Sequence, residues 1–330
     1  MTTYNTSDFD YFLPENLIAQ TPIEPRDASR LMLVERGTGT VSHRKFTDIT
    51  EILQAGDCLI LNDSRVIPAR LSAGNTEVLL LRDLGNNKWE CITRPGKKTR
   101  EGAEIHFEGG LSARVEQCLE DGVRVLQFSG AITFGEMPLP PYIREKLSDS
   151  ERYQTVYSRE QGSAAAPTAG LHFTPELLEK IRRKGVLTDF ITLHVGLGTF
   201  RPVKTENIAE HKMHSEYYTI TQSAAETIAR TKAGGGRVIA VGTTACRALE
   251  SAALKSGKPE PLSASTDIFI TPGYQFKVID GLLTNFHLPK STLIMLVSAF
   301  LGREKTLEAY AEAIRNEYRF FSFGDATLIV

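Results

Sequence analysis

The sequence predicts an α/β protein, a discontinuous α/β domain with an inserted small antiparallel β-barrel domain. Three observations predict it. Beyond residue 153, apolar strand-like runs alternate with helical stripes. Between Arg70 and Phe128 lie several short β-rich runs with turn formers between them. The N-terminal stretch again has α/β character, so the β-rich block interrupts that pattern. The expected boundaries are 1–65 and 150–330 for the α/β catalytic domain, and 66–149 for the barrel with its return linker. A chain of 330 residues exceeds the usual size of one domain, which favours two.

The elements follow in order. Leu31–Val34 and the apolar run Cys58–Leu61 read as strands. The β-rich block offers Glu77–Leu81, Trp89–Thr93, Ala103–Phe107, Leu111–Val115 and Val123–Phe128. Gly85-Asn86-Asn87, Pro95-Gly96 and Gly109-Gly110 supply turns between them. Pro138-Leu139-Pro140-Pro141 marks the return linker, since consecutive prolines resist both helix and sheet. Thr174-Pro175-Glu176 is an N-cap, a first-turn proline and a first-turn acid. Leu177, Leu178 and Ile181 form that helix's buried face, and Gly185 closes it.

The strand Phe190–Val195 then delivers His194 at its end, and Ser223-x-x-Glu226 opens another helix as a capping box. Arg237–Val241 is a buried strand followed by Gly242-Thr243-Thr244 and a helix through Glu250. The strand Leu282–His287 and the apolar helix Thr292–Leu301 come next, and Leu307, Tyr310, Ala311 and Ile314 form a last helical stripe.

Composition sets bounds on function. Apolar and charged fractions of 41% and 24% are ordinary for a globular protein and argue against long disorder. A net charge of −2 gives no global field toward nucleic acid or membrane. The run Leu293–Leu301 is too short to span a bilayer, and the first residues lack a basic stretch followed by an apolar core. Four separated cysteines without a C-x-x-C pair fit reduced thiols, so a cytoplasmic protein is expected. One local basic cluster, Lys88, Arg94, Lys97, Lys98 and Arg100, is either a solvated loop or a polyanion contact.

The chemistry-bearing residues concentrate in the central chain. Ala166-Pro167-Thr168-Ala169-Gly170-Leu171-His172-Phe173-Thr174 precedes a helix start, and Leu193-His194-Val195-Gly196-Leu197-Gly198-Thr199-Phe200 follows the next strand. Glycines admit close backbone approach, hydroxyls offer small hydrogen-bonding groups, and imidazole moves protons near neutral pH. A helix N-terminus favours an anion, and ligands of α/β sheets sit at strand carboxyl ends.

Val241-Gly242-Thr243-Thr244 has the strand–turn–helix form of a small-ligand loop, without the Gly-Lys-Ser/Thr of a P-loop. His211-x-x-His214 with Glu216 has a spacing open to a metal, yet no cysteine or third histidine lies at matching spacing, His172 or His194 would have to complete the set, and no metal is expected. Asn285-Phe286-His287 ends its strand with polar groups that suit a pocket wall. Cys246, in the first turn of its helix, is either a buried small residue or a thiol nucleophile.

These stretches together resemble the family of S-adenosylmethionine:tRNA ribosyltransferase-isomerases of queuosine biosynthesis. The resemblance runs from Asn62–Arg70 through Met137–Ile143, Tyr153–Tyr157, Ala165–Phe173, His194–Phe200 and Met213–Tyr217, then Gly242–Ser251, Asn285–Phe300 and Tyr318–Asp325. Ala245-Cys246 stands where relatives carry Ser-Val, and the β-rich insert resembles the family least.

The resemblance implies transfer and isomerisation of the ribosyl group of S-adenosylmethionine onto 7-aminomethyl-7-deazaguanine at the tRNA wobble position. Epoxyqueuosine-tRNA, adenine and methionine are the implied products. S-adenosylmethionine is then a co-substrate and tRNA the partner, with no membrane and no obligate protein partner. His172, His194, His214, His287 and Glu216 form the pool for proton transfer. Thr168, Gly170, Gly196, Gly198, Thr199, Thr243 and Thr244 are the expected ligands of S-adenosylmethionine. Arg65, Arg70, Arg94, Lys97 and Lys98 are the expected phosphate contacts. Two other readings compete: a Cys246-dependent hydrolase, and a non-catalytic RNA-binding module.

Overall fold

The computed structural model describes residues 4–119, 122–145, 147, 149–196, 203 and 205–330. Strands β1 (Arg30–Val34), β2 (Val41–Lys45) and β3 (Cys58–Asn62) come first, with a one-turn helix α1 (Ile49–Ile52) between β2 and β3. A short β4 (Ser64–Val66) leads into β5 (Arg70–Ala73), β6 (Thr76–Gly85), β7 (Lys88–Arg94), β8 (Glu104–His106), β9 (Ser112–Cys118) and β10 (Val123–Phe128). Then follow β11 (Glu160–Ser163), α2 (Pro175–Arg183), β12 (Leu187–Leu193), β13 (Glu216–Ile220), α3 (Gln222–Ala233), β14 (Val238–Val241) and α4 (Gly242–Ala252). The chain ends with β15 (Leu262–Thr266), β16 (Gly281–Asn285), α5 (Thr292–Leu301), α6 (Arg303–Arg315) and β17 (Ala326–Ile329).

Nine strands form one mixed sheet in the order β15-β13-β12-β3-β14-β16-β17-β1-β2. Its centre, β12-β3-β14-β16, is parallel. Strands β3, β14, β16 and β17 are buried along their whole length, as continuous Val/Ile/Leu runs covered on both faces must be. Alternate residues feed two cores. Ile60, Val238, Ala240 and Leu282 pack with α3 to α6, while Leu59, Leu61, Ile239 and Leu283 pack with α1 and α2. Side chains of successive strand residues point to opposite faces, so one sheet serves both layers.

The other large sheet, β5-β6-β7-β10-β9-β8, is antiparallel throughout. Register shifts in β6 and β10 curl it into a nearly closed barrel around Leu71, Val78, Leu80, Cys91, Val115, Leu126 and Phe128. The mixed α/β character and the barrel-like block match the expected class.

Several local expectations shift. The strand β5 was not anticipated, because Arg70–Ala73 is too short to show a period. Helix α3 is capped by Thr221, whose hydroxyl accepts from Ala224 N, while Ser223 donates instead to Asp189. Strands β12 and β16 stop at Leu193 and Asn285, which leaves His194 and His287 just beyond them. On α6 the buried face is Thr306, Ala309, Tyr310 and Ala313, with Ala311 exposed. Two small residues and a threonine let α6 lie close to α5, a signal that an apolar stripe alone does not reveal.

At one junction the chain entering the barrel-like sheet pairs with the chain that follows it. Arg70 and Glu136 exchange both backbone bonds, at 3.1 and 2.8 Å. A Cβ at the adjacent Gly135 would lie 2.1 Å from the Pro68 carbonyl oxygen. Gly135→Ala should therefore destabilise the protein by about 1–3 kcal/mol, as overpacking against backbone does. Urea denaturation measures it, and an unchanged midpoint would show that the junction yields without cost.

Candidate active site

The parallel strands β12, β14 and β16 end at one edge of the sheet, and a cleft opens there. Val195 follows β12, Gly242, Thr243 and Thr244 follow β14, Asn285 ends β16 and His287 lies just beyond it; all line the cleft. Ala166, Pro167, Thr168 and Ala169 complete one wall, and Leu288, Pro289, Leu293, Phe321 and Tyr142 make the others largely apolar. The location is the one that parallel strand ends favour, where helix N-termini and free strand ends converge.

No loop separates β14 from α4. Val241 ends the strand and is itself the N-cap, with no side chain to cap the helix and no acid in its first turn. Gly242 takes a φ of +91°, a conformation that Cβ-bearing residues resist. The first N–H groups of α4 thus have no side-chain cap, the arrangement in which a helix start can receive an anion. Beside them, the Thr244 hydroxyl is buried and unpartnered. A buried polar atom without a partner is costly, and a ligand oxygen or nitrogen would satisfy it.

Behind the Thr168 wall runs a chain of polar side chains. The Thr168 hydroxyl donates to Asn285 Oδ1 at 3.0 Å. Asn285 Nδ2 lies 3.1 Å from His172 Nε2, and His172 Nδ1 lies 2.8 Å from the Ser29 hydroxyl. His172 stacks on Phe46, with ring centroids 4.9 Å apart. Burial pushes its pKa down to about 4, the main effect, offset in part by Asp325. It lies outside the cleft lining.

The other proton-transfer candidates are dispersed. His287 reaches the cleft, its Nε2 is 2.8 Å from the Thr284 hydroxyl, and burial pushes its pKa down to about 3. His194 turns the other way, toward Gly162, and its buried Nδ1 has no hydrogen-bond partner. Burial lowers its pKa, against the pull of Glu160 and Asp63. Glu216 is buried, pairs with Arg247, and accepts from Gly196 N at 3.0 Å. His214 is half-buried, near His211, whose pKa burial lowers. Among the described residues no cluster of metal-ligating side chains occurs.

Of the expected S-adenosylmethionine ligands, Thr168, Thr243 and Thr244 line the cleft. Gly196 adjoins it through Val195, and Gly198 and Thr199 lie outside the described residues. Gly170 is buried elsewhere: a Cβ there would fall 2.0 Å from the Tyr157 hydroxyl. Cys246 is a core residue on α4 whose thiol pKa is raised well above normal by burial, which is the environment of an inert cysteine.

The basic residues divide into two groups. Arg65 is tied to Ser158 and Glu151, and Arg70 pairs with Glu77 at 3.1 Å. Arg94, Lys97 and Lys98 stand exposed at the end of β7 and the turn after it, without ion-pair partners among the described residues. The buried Thr93 and Thr99 hydroxyls bond across that turn at 2.5 Å and fix it under the cations. Residues that sequence reasoning missed are Ser29 and Tyr142. The polar Ser29 in Asp27-Ala28-Ser29-Arg30 gives no periodic signal, and Tyr142 looks like linker next to its prolines.

Both buried histidines stay neutral in the fold but take up protons once unfolded, near pH 6.5. Their contribution to stability is complete above about pH 6.5 and is lost as pH falls toward about 4, by up to about 1.4 kcal/mol per pH unit for each. Urea titrations from about pH 7 to about pH 4.5 should show this slope, reduced by one proton in His172→Gln. A variant with the full slope would assign that proton to another group.

Comparison with known proteins identifies the family. A family model described as "Queuosine biosynthesis protein" matches residues 6–329. The S-adenosylmethionine:tRNA ribosyltransferase-isomerase of Acetivibrio thermocellus is 56% identical over 337 residues, which covers 98% of this chain and 99% of that protein. The protein of the same name from Pelotomaculum thermopropionicum is 56% identical over 340 residues, covering 99% and 100%. Among solved structures, an S-adenosylmethionine tRNA ribosyltransferase from Thermotoga maritima shares 43% identity over 98% of this chain and 100% of its own, with a TM-score of 0.59. Identity at this level along the whole length leaves one assignment: the chain is an enzyme and belongs to the S-adenosylmethionine:tRNA ribosyltransferase-isomerase family of queuosine biosynthesis.

Proposed function

We propose that this enzyme moves the ribosyl group of S-adenosylmethionine onto 7-aminomethyl-7-deazaguanine at the tRNA wobble position and isomerises it. The products are epoxyqueuosine-tRNA, adenine and methionine, and the reaction takes place in the cytoplasm. The observation that carries this reading is the bare start of α4 in an apolar-walled cleft, beside the unpartnered Thr244 hydroxyl. An amino-acid carboxylate suits those N–H groups, and the apolar walls suit a purine. The relatives' names supply S-adenosylmethionine and tRNA as the ligands.

The sulfonium of S-adenosylmethionine acidifies the C–H beside it, so much of the chemistry belongs to the ligand. The protein has to bind it, exclude water and move a proton. Of the five proton-transfer candidates, His287 is the one that lines the cleft. Burial holds its imidazole neutral and at the same time makes it a weak base, so it is the position on the cleft wall rather than the basicity that selects it. The Thr284 hydroxyl at Nε2 orients the ring. Glu216, committed to Arg247 and Gly196 N, holds the start of the segment after β12.

In this reading residues 66–149 act as the inserted domain that carries RNA contacts on the β7 turn. Arg94, Lys97 and Lys98 are then the primary phosphate contacts, because their charges have no ion-pair partner among the described residues.

Incubation with S-adenosylmethionine and tRNA bearing the aminomethyl base should release adenine. Release no greater than in a control without RNA would overturn the assignment. His287→Gln should lower kcat by about 100-fold or more with KM for S-adenosylmethionine little changed. Thr244→Val should instead raise that KM by about tenfold, the cost of a buried hydrogen bond. Replacing Lys97 and Lys98 with alanine should weaken tRNA binding and flatten its salt dependence by about one unit of slope per lost phosphate contact. S-adenosylmethionine binding by that double variant should be unaffected, and an unaltered salt slope would remove the turn from the interface.

A further inference from the structure

The polar chain behind the cleft wall has a direction, and the direction has a consequence for the substrate. Ser29, His172 and Asn285 are nearly inaccessible, at 1%, 4% and 2% exposure, so water does not compete for their bonds. Thr168 is half-buried and faces the cleft. Its hydroxyl proton goes to Asn285 Oδ1. The Asn285 amide lies with Nδ2 toward His172 Nε2. For Nε2 to accept that N–H, the imidazole must carry its own proton on Nδ1, where the Ser29 hydroxyl receives it. Stacking on Phe46 fixes the ring plane. With both ring nitrogens engaged inside the protein, His172 has none left for a ligand.

We propose that Ser29 and His172 are positioning residues that act through Asn285 to hold the Thr168 hydroxyl as a hydrogen-bond acceptor toward the cleft. The substrate group that meets Thr168 is then an N–H or O–H donor, either the ammonium of an amino acid or a hydroxyl of a sugar. A carboxylate at that point would face oxygen lone pairs, and it belongs at the α4 end instead. This deepens the reading of the cleft as the S-adenosylmethionine site and rests on it.

The relay can be tested at its two ends. Thr168→Val keeps the shape and removes the hydroxyl, and should raise KM for S-adenosylmethionine about tenfold with little change in kcat. Ser29→Ala should raise the same KM about threefold to tenfold, and Ser29→Thr should behave as wild type. In the Thr168→Val background, Ser29→Ala should cost nothing further, because the group it positions is gone. A cost that multiplies through, or no cost from either change alone, overturns the relay.

A second measurement on the unmutated enzyme needs no activity. Nitrogen-15 NMR of the labelled histidines, with His172 identified by its loss in His172→Gln, should show the proton on Nδ1. A proton on Nε2 overturns the proposed direction. Binding of two fragments separates the donors. Weakening of 5′-methylthioadenosine by Thr168→Val identifies a sugar hydroxyl, weakening of methionine identifies the ammonium, and weakening of neither overturns the contact. Absence of adenine release by the wild-type enzyme would sink the reaction assignment while the NMR result still reads the relay.

Discussion

The uncapped start of α4 is the constraint on which the site depends. Strand β14 passes directly into α4, and its last residue, Val241, occupies the N-cap place where Ser, Thr or Asp would sit. The helix therefore begins without a side-chain cap on its N–H groups, at the carboxyl edge of a parallel sheet. Gly242 makes the turn possible through its positive φ, and a Cβ there would come 3.7 Å from the Ala169 Cβ and 3.4 Å from the Thr244 hydroxyl. The wall formed by Ala166–Ala169 sits against this turn. A stable isolated helix would not start this way; one that binds an anion gains from it.

Burial assigns different tasks to groups of one chemical type. His172 and His287 are both held neutral, yet only His287 opens onto the cleft, while His172 is enclosed by Ser29, Asn285 and Phe46. His194 sits one residue before Val195, and the alternation of an extended chain turns it away from the cleft that Val195 lines. Glu216 and Arg247 form a buried ion pair, with a second carboxylate oxygen satisfied by Gly196 N. Such a pair gives orientation more than stability, because desolvation offsets most of its attraction.

Electrostatics on the barrel work locally rather than through net charge. The whole chain carries −2 at neutral pH, which leaves no long-range pull on RNA. Arg65 and Arg70 are neutralised by Glu151 and Glu77, whereas Arg94, Lys97 and Lys98 have no ion-pair partner among the described residues. Within a screening length of about 8 Å, those free charges dominate what a phosphate experiences.

By itself the sequence determined the α/β class, the β-rich block, and helices α2, α4 and α5, because periodicity, caps and turn residues act over a few neighbours. Thr174-Pro175 and Gly185 bound α2 where expected, and Thr292–Leu301 is the helix its apolar run implied. It also determined the strand-Gly-Thr-Thr-helix form around Gly242. Tertiary structure decided which polar groups share a cavity. Whether His194 or His287 faces the cleft depends on where a strand ends and which face is covered, and one residue of shift exchanges the two faces. The partnership of Ser29 with His172 spans 143 positions of chain, and that of Thr168 with Asn285 spans 117. No local pattern encodes contacts at that separation; they exist only once the sheet has set its strand order.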